Sequence, residues 1–239
     1  MEETFEERVD ALEHFYYALI LIFTFVRSKA SNKSFPIIAL FMQLLLLQNQ
    51  LKNESGFHFI DSTPVSTCLN RRIFSHKVTK KFASRGKSTK GWFYGFRLHG
   101  VCSEKGLLES VVFTSGNIND IKMIEQVTKN LKGSFFCDAG YLKKSKELIK
   151  LADSGRFIYA ATRQNMNRLM TCVQWEHLRK RNIIKSDWGV LKQNYFLEYH
   201  QARCMEWTFS SLCQLYFSLH FAMQTEILSK NTNSNLGLN

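Results

Sequence analysis

The central part of the chain contains short apolar stretches that are separated by polar turns. The stretch Phe57–Pro64 alternates apolar and polar residues, as a half-buried β-strand does, and it ends at a proline. Aromatic and β-branched residues mark the other stretches of this kind, and Gly106 forms a turn between two of them. We therefore predict strands at Phe57–Pro64, Trp92–Val101, Leu107–Thr114, Ser134–Cys137 and Phe157–Ala161.

Apolar residues recur at helical spacing between and after the later strands. In the segment 118–131 they share one helical face, and Asn117 or Asn119 can cap the helix. Further helices are predicted at 143–152, 166–195 and 206–228. The tail 229–239 is polar and rich in asparagine, so we expect it to be disordered.

The order of these elements predicts an α/β fold of the ribonuclease H-like type. Three antiparallel strands are joined by a parallel extension, giving a mixed sheet that is flanked by helices. The first and fourth strands of that fold are neighbours. Asp61 and Asp138, which lie at the ends of these two strands, are then expected to meet although they are 138 − 61 = 77 positions apart.

Paired carboxylates at one sheet edge are suited to metal binding. Hard cations such as Mg²⁺ prefer oxygen ligands, and a metal held by Asp61 and Asp138 can act on a polyanion. The alternative is structural, because an aspartate at a strand end often forms a turn or caps a helix. Both interpretations stay open on the pattern alone.

The N-terminal segment 1–55 differs from the rest of the chain. Its apolar runs Phe15–Val26 and Phe35–Leu47 are each shorter than the ~20 residues that a membrane span needs. Packed helices are the favoured interpretation, with a membrane hairpin or a segment of damaged integrity as alternatives. The acidic start argues against a signal peptide.

A net charge of +12 favours nucleic acid or an anionic surface as the partner. The basic stretch 71–91 is predicted to be a loop that contacts phosphates, or else a solvated loop. Arg85, Lys87 and Trp92 are candidates for holding DNA, although Trp92 is expected in the core. The six cysteines have no spacing typical of a zinc site.

Several segments, taken together and in order, resemble the DDE group of bacterial insertion-sequence transposases, which has a ribonuclease H-like catalytic domain. The resemblance covers residues 56 to 220 approximately, within a predicted domain 56–228. It is carried by Phe59–Pro64, Arg85–Ser88, Gly91–His99, Thr114–Asn117, Asp138–Tyr141, Arg163–Met166, Leu178–Ile184, Trp188–Lys192 and Leu197–His200.

The resemblance implies DNA cleavage and strand transfer at the ends of a mobile element. Three acidic residues would hold two Mg²⁺ or Mn²⁺ ions, with no small-molecule cofactor, and Asp61 and Asp138 match the first two acids. It further implies a homodimer assembled on DNA and a cytoplasmic, nucleoid-associated protein.

The third acidic position of the family pattern is occupied by lysine. Arg181 and Lys192 match the arginine and lysine that flank the family's glutamate, which places Lys185 in the glutamate position. Asp187 lies about 200° further round the helix and is expected to face away from the site. We therefore predict that metal binding and strand cleavage are impaired.

Other roles follow for the residues near this position. Lys185 could form a salt bridge with Asp61 or Asp138, and Arg181 and Lys192 are candidates for phosphate contacts. Two alternatives to an active or impaired transposase stay open. One is a non-catalytic DNA-binding remnant or repressor of the element, and the other is a membrane-associated protein.

Overall fold

The computed structural model describes residues 35–161, residues 170–193 and residue 197. Within them a six-stranded mixed sheet is flanked by α-helices. The strands are β1 Phe57–Cys68, β2 Ser84–Ser88, β3 Gly91–Ser103, β4 Leu108–Ser115, β5 Gly133–Cys137 and β6 Arg156–Ala160. The helices are α1 Phe35–Leu51, α2 Asp120–Val127, α3 Ser145–Asp153, α4 Cys172–Lys180 and α5 Asn182–Gln193, with short 3₁₀ helices at Asn70–Arg72 and Ala139–Tyr141.

The strand order confirms the predicted ribonuclease H-like architecture. The sheet runs β2-β3-β1-β5-β6, and β4 also pairs with β3. β1 is antiparallel to β3 and parallel to β5, which is in turn parallel to β6. β2 and β4 pair with successive parts of the same β3 edge. The strand that carries Asp61 therefore lies beside the one that leads to Asp138.

Each face of the sheet is covered by its own hydrophobic core. Phe59, Phe136 and Trp188 belong to the core beneath α1, α4 and α5. Ile60 and Ile124 belong to the other core, beneath α2 and α3. Successive residues of a strand point to opposite faces, which is why the neighbours Phe59 and Ile60 enter different cores.

Helix α5 is fixed over the sheet by a close contact with β3. Trp188 packs against Gly100, where an added Cβ would lie 2.7 Å from the indole ring. Any residue larger than glycine at this position would push the helix away. Trp188 and Leu191 are 4% and 3% exposed, so both belong to the core.

Three predicted elements differ from the structure. The first strand does not end at Pro64 but continues to Cys68, because its backbone stays paired with β3, so Asp61 lies within the strand and not at its end. The predicted loop at 84–88 is strand β2, because its backbone pairs with β3 from Ser84 to Ser88, and its polar composition conceals this. The predicted helix 166–195 contains two helices, α4 and α5, that meet at Arg181. Residues 166–169 and 194–195 of that prediction lie outside the described residues.

Helix α1 is attached to β4 by polar side chains. Asn49 donates to the carbonyl of Leu108 at 2.7 Å, and Gln50 donates to the carbonyl of Glu109 at 2.7 Å. This contact agrees with the packed-helix interpretation of residues 35–47. Across the described ranges, no helix combines the length and apolarity needed to span a membrane. The run 15–26, the helix predicted at 206–228 and the tail lie outside the described residues.

Candidate active site

Asp61 lies within the central strand β1, and Asp138 directly follows the end of the neighbouring strand β5. β1 and β5 are parallel with Phe59 opposite Phe136, and Asp61 and Asp138 each lie two residues beyond this pair. Directly adjacent residues on neighbouring strands are about 5 Å apart. Both aspartates share the sheet face of these phenylalanines, the face that α4 and α5 cover. The charge of Asp138 acts on the pKa of Asp61, so the two carboxylates lie within electrostatic reach of one another.

Asp61 is set in a mostly buried position that changes its proton affinity. The pKa of Asp61 is raised to about 6, mainly by burial and to a smaller extent by the nearby Asp138 charge. The positive charges of Arg181 and Lys185 act in the opposite direction and lower it. Asp61 therefore lies within electrostatic reach of one carboxylate and two cations.

Arg181, rather than Lys185, forms the ion pair at this site. Arg181 Nη1 lies 3.2 Å from Asp138 Oδ1, and the Arg181 side chain is only 11% exposed. Lys185 is exposed, and it forms no ion pair with any residue that the structure describes. The predicted salt bridge from Lys185 to Asp61 or Asp138 is thus wrong. Arg181 precedes Lys185 by one helical turn and lies nearer the Asp138 strand end.

Asp187 is buried in the core, which the prediction that it faces away from the site did not include. It lies away from Lys185 on the helix, but it is 5% exposed and shares the core-facing side of α5 with Ile184 and Trp188. Burial raises the pKa of Asp187 to about 7. Asp187 Oδ2 has no hydrogen-bond partner among the described residues. The acid therefore occupies an apolar setting and does not complete the Asp61 site.

A second polar cluster lies on the opposite face of the sheet, directly behind Asp61. Ser62 Oγ donates to Asp120 Oδ1 at 2.9 Å, and Arg97 Nη1 donates to both Asp120 oxygens at 3.0 and 3.2 Å. Asp120 Oδ2 also lies against Gly140, at 3.3 Å from where a Cβ would stand. Asp120 therefore connects the residues that follow Asp61 and Asp138.

This cluster was not predicted from the sequence. The only signal was an acidic residue in the first turn of α2, directly after Asn119, which is the N-cap but makes no side-chain capping hydrogen bond. His99 completes the cluster and is fully buried. Burial lowers the pKa of His99 to about 4, so its ring is neutral at pH 7 and its 3.6 Å approach to Asp120 is not an ion pair.

The predicted DNA-holding residues lie on two different parts of the sheet assembly. Arg85 and Lys87 are exposed on β2, and Lys87 pairs across the hairpin with Trp92 on β3. Trp92 is 63% exposed, so its predicted place in the core is wrong. The polar hairpin offers no apolar layer to cover it. Lys192 is half-buried near the end of α5.

The site around Asp61 and Asp138 has few side chains that could bind a metal ion. The described residues contain no group of three or more His, Cys, Asp or Glu side chains able to hold a metal ion. Two carboxylates remain, and one of them is paired with Arg181. The arrangement can bind phosphate through Arg181, but it has fewer acidic ligands than a two-metal centre requires.

Comparison with protein-family models gives one match. The model described as Transposase DDE domain matches residues 51–205, which is more than half of the chain. The match begins within α1 and includes Asp61, Asp138 and Lys185. No curated protein and no solved structure matches the chain.

Proposed function

The chain belongs to the transposase DDE domain family, and from this membership we propose that it is the catalytic domain of an insertion-sequence transposase whose DNA cleavage is impaired. In this proposal Asp61 and Asp138 are the first two acids of the site, and Lys185 stands in the position of the third. The family activity is metal-dependent cleavage and transfer of DNA strands.

One observation carries the proposal: two acidic side chains converge under a helix that presents cations to them. Arg181 is within 3.2 Å of Asp138, and the charges of Arg181 and Lys185 both act on Asp61. Replacing a glutamate by lysine changes the local charge by two units. In a partly buried site this change strongly disfavours a bound dication.

The divalent metal ions that the family generally uses do not fit the described residues. A two-metal site needs several acidic ligands, whereas the described residues contain no group of three or more His, Cys, Asp or Glu side chains that could hold a metal ion. Asp138 is engaged with Arg181, and Asp187 is buried elsewhere on α5. We therefore assign no metal-dependent step to this copy of the domain.

DNA binding is the part of the function that the remaining residues support. The exposed cations Arg85 and Lys87, together with Arg181 and Lys192, are proposed to contact DNA phosphates. A domain that binds without cutting can also occupy element ends as a repressor. We further propose a bacterial protein that acts on nucleoid DNA and dimerises when bound to it.

Strand cleavage tests this proposal. A plasmid carrying the DNA that flanks the reading frame is incubated with the natural chain or the Lys185→Glu variant, in Mg²⁺ or Mn²⁺. We expect no nicking above background from the natural chain and measurable, metal-dependent nicking from Lys185→Glu. Robust nicking by the natural chain would refute the claim of impairment.

Matched variants separate the site effect from a general change of charge. Lys146→Glu makes the same charge change at an exposed position of α3 and should leave the natural chain inactive. Adding Asp61→Asn to Lys185→Glu should remove the restored activity. Activity that survives Asp61→Asn would show that a different site is cutting the DNA.

A further inference from the structure

Exposed aromatic rings and dense positive charge occur together near the end of β1. We call this region the aromatic–basic surface and define it as segment 69–83 with Lys87 and Trp92. Phe74 is 91% exposed, Phe82 is 56% exposed and Trp92 is 63% exposed. Large apolar rings at such exposure usually mark a binding surface when they accompany one another.

The charge of the surface has a single sign. Between Asp61 and Glu104 the sequence contains no acidic residue. The lysine and arginine side chains of the segment are all exposed, namely Arg71, Arg72, Lys77, Lys80 and Lys81. With no carboxylate in this part of the sequence to neutralise them, these cations favour a polyanion as the partner.

Hydrogen bonds and a ring contact attach segment 69–83 to the sheet. Asn70 Nδ2 donates to the carbonyl of Trp92 at 2.8 Å, which links the start of the segment to β3. Thr79 is 2% exposed and hydrogen-bonds to His76 at 2.9 Å. The His76 ring in turn contacts the Tyr94 ring, with centroids 6.3 Å apart. Buried anchors therefore hold the segment while Phe74 and Phe82 are left outside.

A cation and an aromatic ring are paired at the hairpin. Lys87 Nζ lies 5.9 Å from the centroid of the Trp92 ring. A nucleotide whose phosphate is held by Lys87 can thus place its base against the ring. Stacking of this kind needs a free base face, which single-stranded DNA offers and which stacked base pairs in a duplex do not.

We propose that the aromatic–basic surface binds an unpaired stretch of DNA, with Trp92 and Phe74 stacking on bases and the cations contacting phosphates. The proposal rests on the proposed function for its choice of DNA. It adds that the DNA is single-stranded at this surface. The surface is separate from Asp61, because 68 − 61 = 7 strand residues, or roughly 23 Å, lie between them along β1.

Fluorescence anisotropy with two probes tests this proposal on the full chain. The probes are a labelled oligothymidylate of about 20 nucleotides and a blunt duplex of the same length, each titrated at several salt concentrations. Trp92→Ala and Phe74→Ala should each weaken oligothymidylate binding about tenfold and leave the salt dependence unchanged. Duplex binding should change less than about twofold. Trp92→Phe, which keeps a ring, should restore most of the affinity.

Control variants make the outcomes distinguishable. Lys87→Ala should lower the slope of log affinity against log salt by about 0.7, the effect of one phosphate contact. Trp175→Ala removes a ring of similar exposure, 60%, from α4 and should have no effect. Unchanged oligothymidylate binding in both Trp92→Ala and Phe74→Ala, or an equal loss with the duplex, would overturn the stacking proposal alone. Failure of the natural chain to bind either probe would overturn DNA binding as well.

Discussion

The two faces of the sheet differ in how many of the buried polar groups near Asp61 have hydrogen-bond partners. Behind the sheet, Asp120 accepts hydrogen bonds from Ser62 and Arg97. In front of it, α4 and α5 carry most of the buried polar atoms that have no hydrogen-bond partner among the described residues. These atoms are His177 Nδ1, Arg181 Nε, Asp187 Oδ2, Trp188 Nε1 and Arg181 Nη1, the last of which forms the ion pair with Asp138 without a hydrogen bond; Arg97 Nε is the remaining one.

This difference indicates which part of the family site is preserved. Asp61 lies on β1, which pairs with the strand that leads to Asp138, and Asp120 is hydrogen-bonded to the neighbouring Ser62. Helix α5 contributes the cation Lys185 in the position proposed for an acidic ligand, and it places the carboxyl group of Asp187 in a buried position. We infer that the strands that position the two aspartates are preserved, whereas helix α5 no longer supplies the third acidic ligand.

The largest expected effect comes from removing the buried carboxyl of Asp187. Its folded-state pKa is raised, so the stability it contributes is present below the unfolded value of 3.8 and is lost as pH rises through about 7. Asp187→Val should therefore raise the free energy of unfolding at pH 8 by on the order of 3–4 kcal/mol, and by much less at pH 5. Urea unfolding at both pH values measures this. Equal stability of variant and natural chain at pH 8 would mean that Asp187 has a partner.

A smaller and destabilising effect is expected on the face of the sheet that carries Asp120. Asp120→Ala removes the acceptor of Arg97 and Ser62 and leaves the 15%-exposed Arg97 side chain without its carboxylate. We expect a loss of about 2–3 kcal/mol in the free energy of unfolding. Asp153→Ala, at an exposed position of α3, is the control and should change it by less than about 0.5 kcal/mol. Similar values for the two variants would remove the contrast between the faces.

The smallest effect is expected at Asp61, which lies between the two regions. Because its pKa is raised to about 6, its stabilising contribution is lost as pH rises through that value. Asp61→Asn should therefore stabilise the protein by roughly 1–2 kcal/mol at pH 8 and by almost nothing at pH 4. The difference between the two pH values, measured by chemical unfolding, is the readout. A variant less stable than the natural chain at pH 8 would indicate that ionised Asp61 is held by a strong ion pair.

The sequence allowed the meeting of Asp61 and Asp138 to be predicted because parallel strands of known order bring their ends together. It did not allow β2 to be predicted, since residues 84–88 are polar and are held mainly by backbone pairing with β3. The exposure of Trp92 was missed for a related reason. A tryptophan in an apolar run resembles a core residue until its neighbours in space are known.

Helix α5 shows which features of a side chain's position can be predicted from helical periodicity alone. Rotation by about 100° per residue correctly separated Asp187 from Lys185. The same rotation places Asp187 on one side with Ile184, Trp188 and Leu191, so its burial could have been predicted from their spacing. That Arg181 rather than Lys185 reaches Asp138 depends on how α5 docks on the sheet, which local spacing does not contain.

Manganese binding by the Lys185→Glu variant tests the central claim most directly. Isothermal titration calorimetry at pH 7.5 compares the natural chain, Lys185→Glu and the neutral Lys185→Gln. Since the glutamate restores an acidic ligand and removes a cation, we predict Mn²⁺ binding at least about tenfold tighter in Lys185→Glu than in the natural chain, with Lys185→Gln in between. Equal Mn²⁺ affinity in all three proteins would contradict the assignment of position 185 to the metal site.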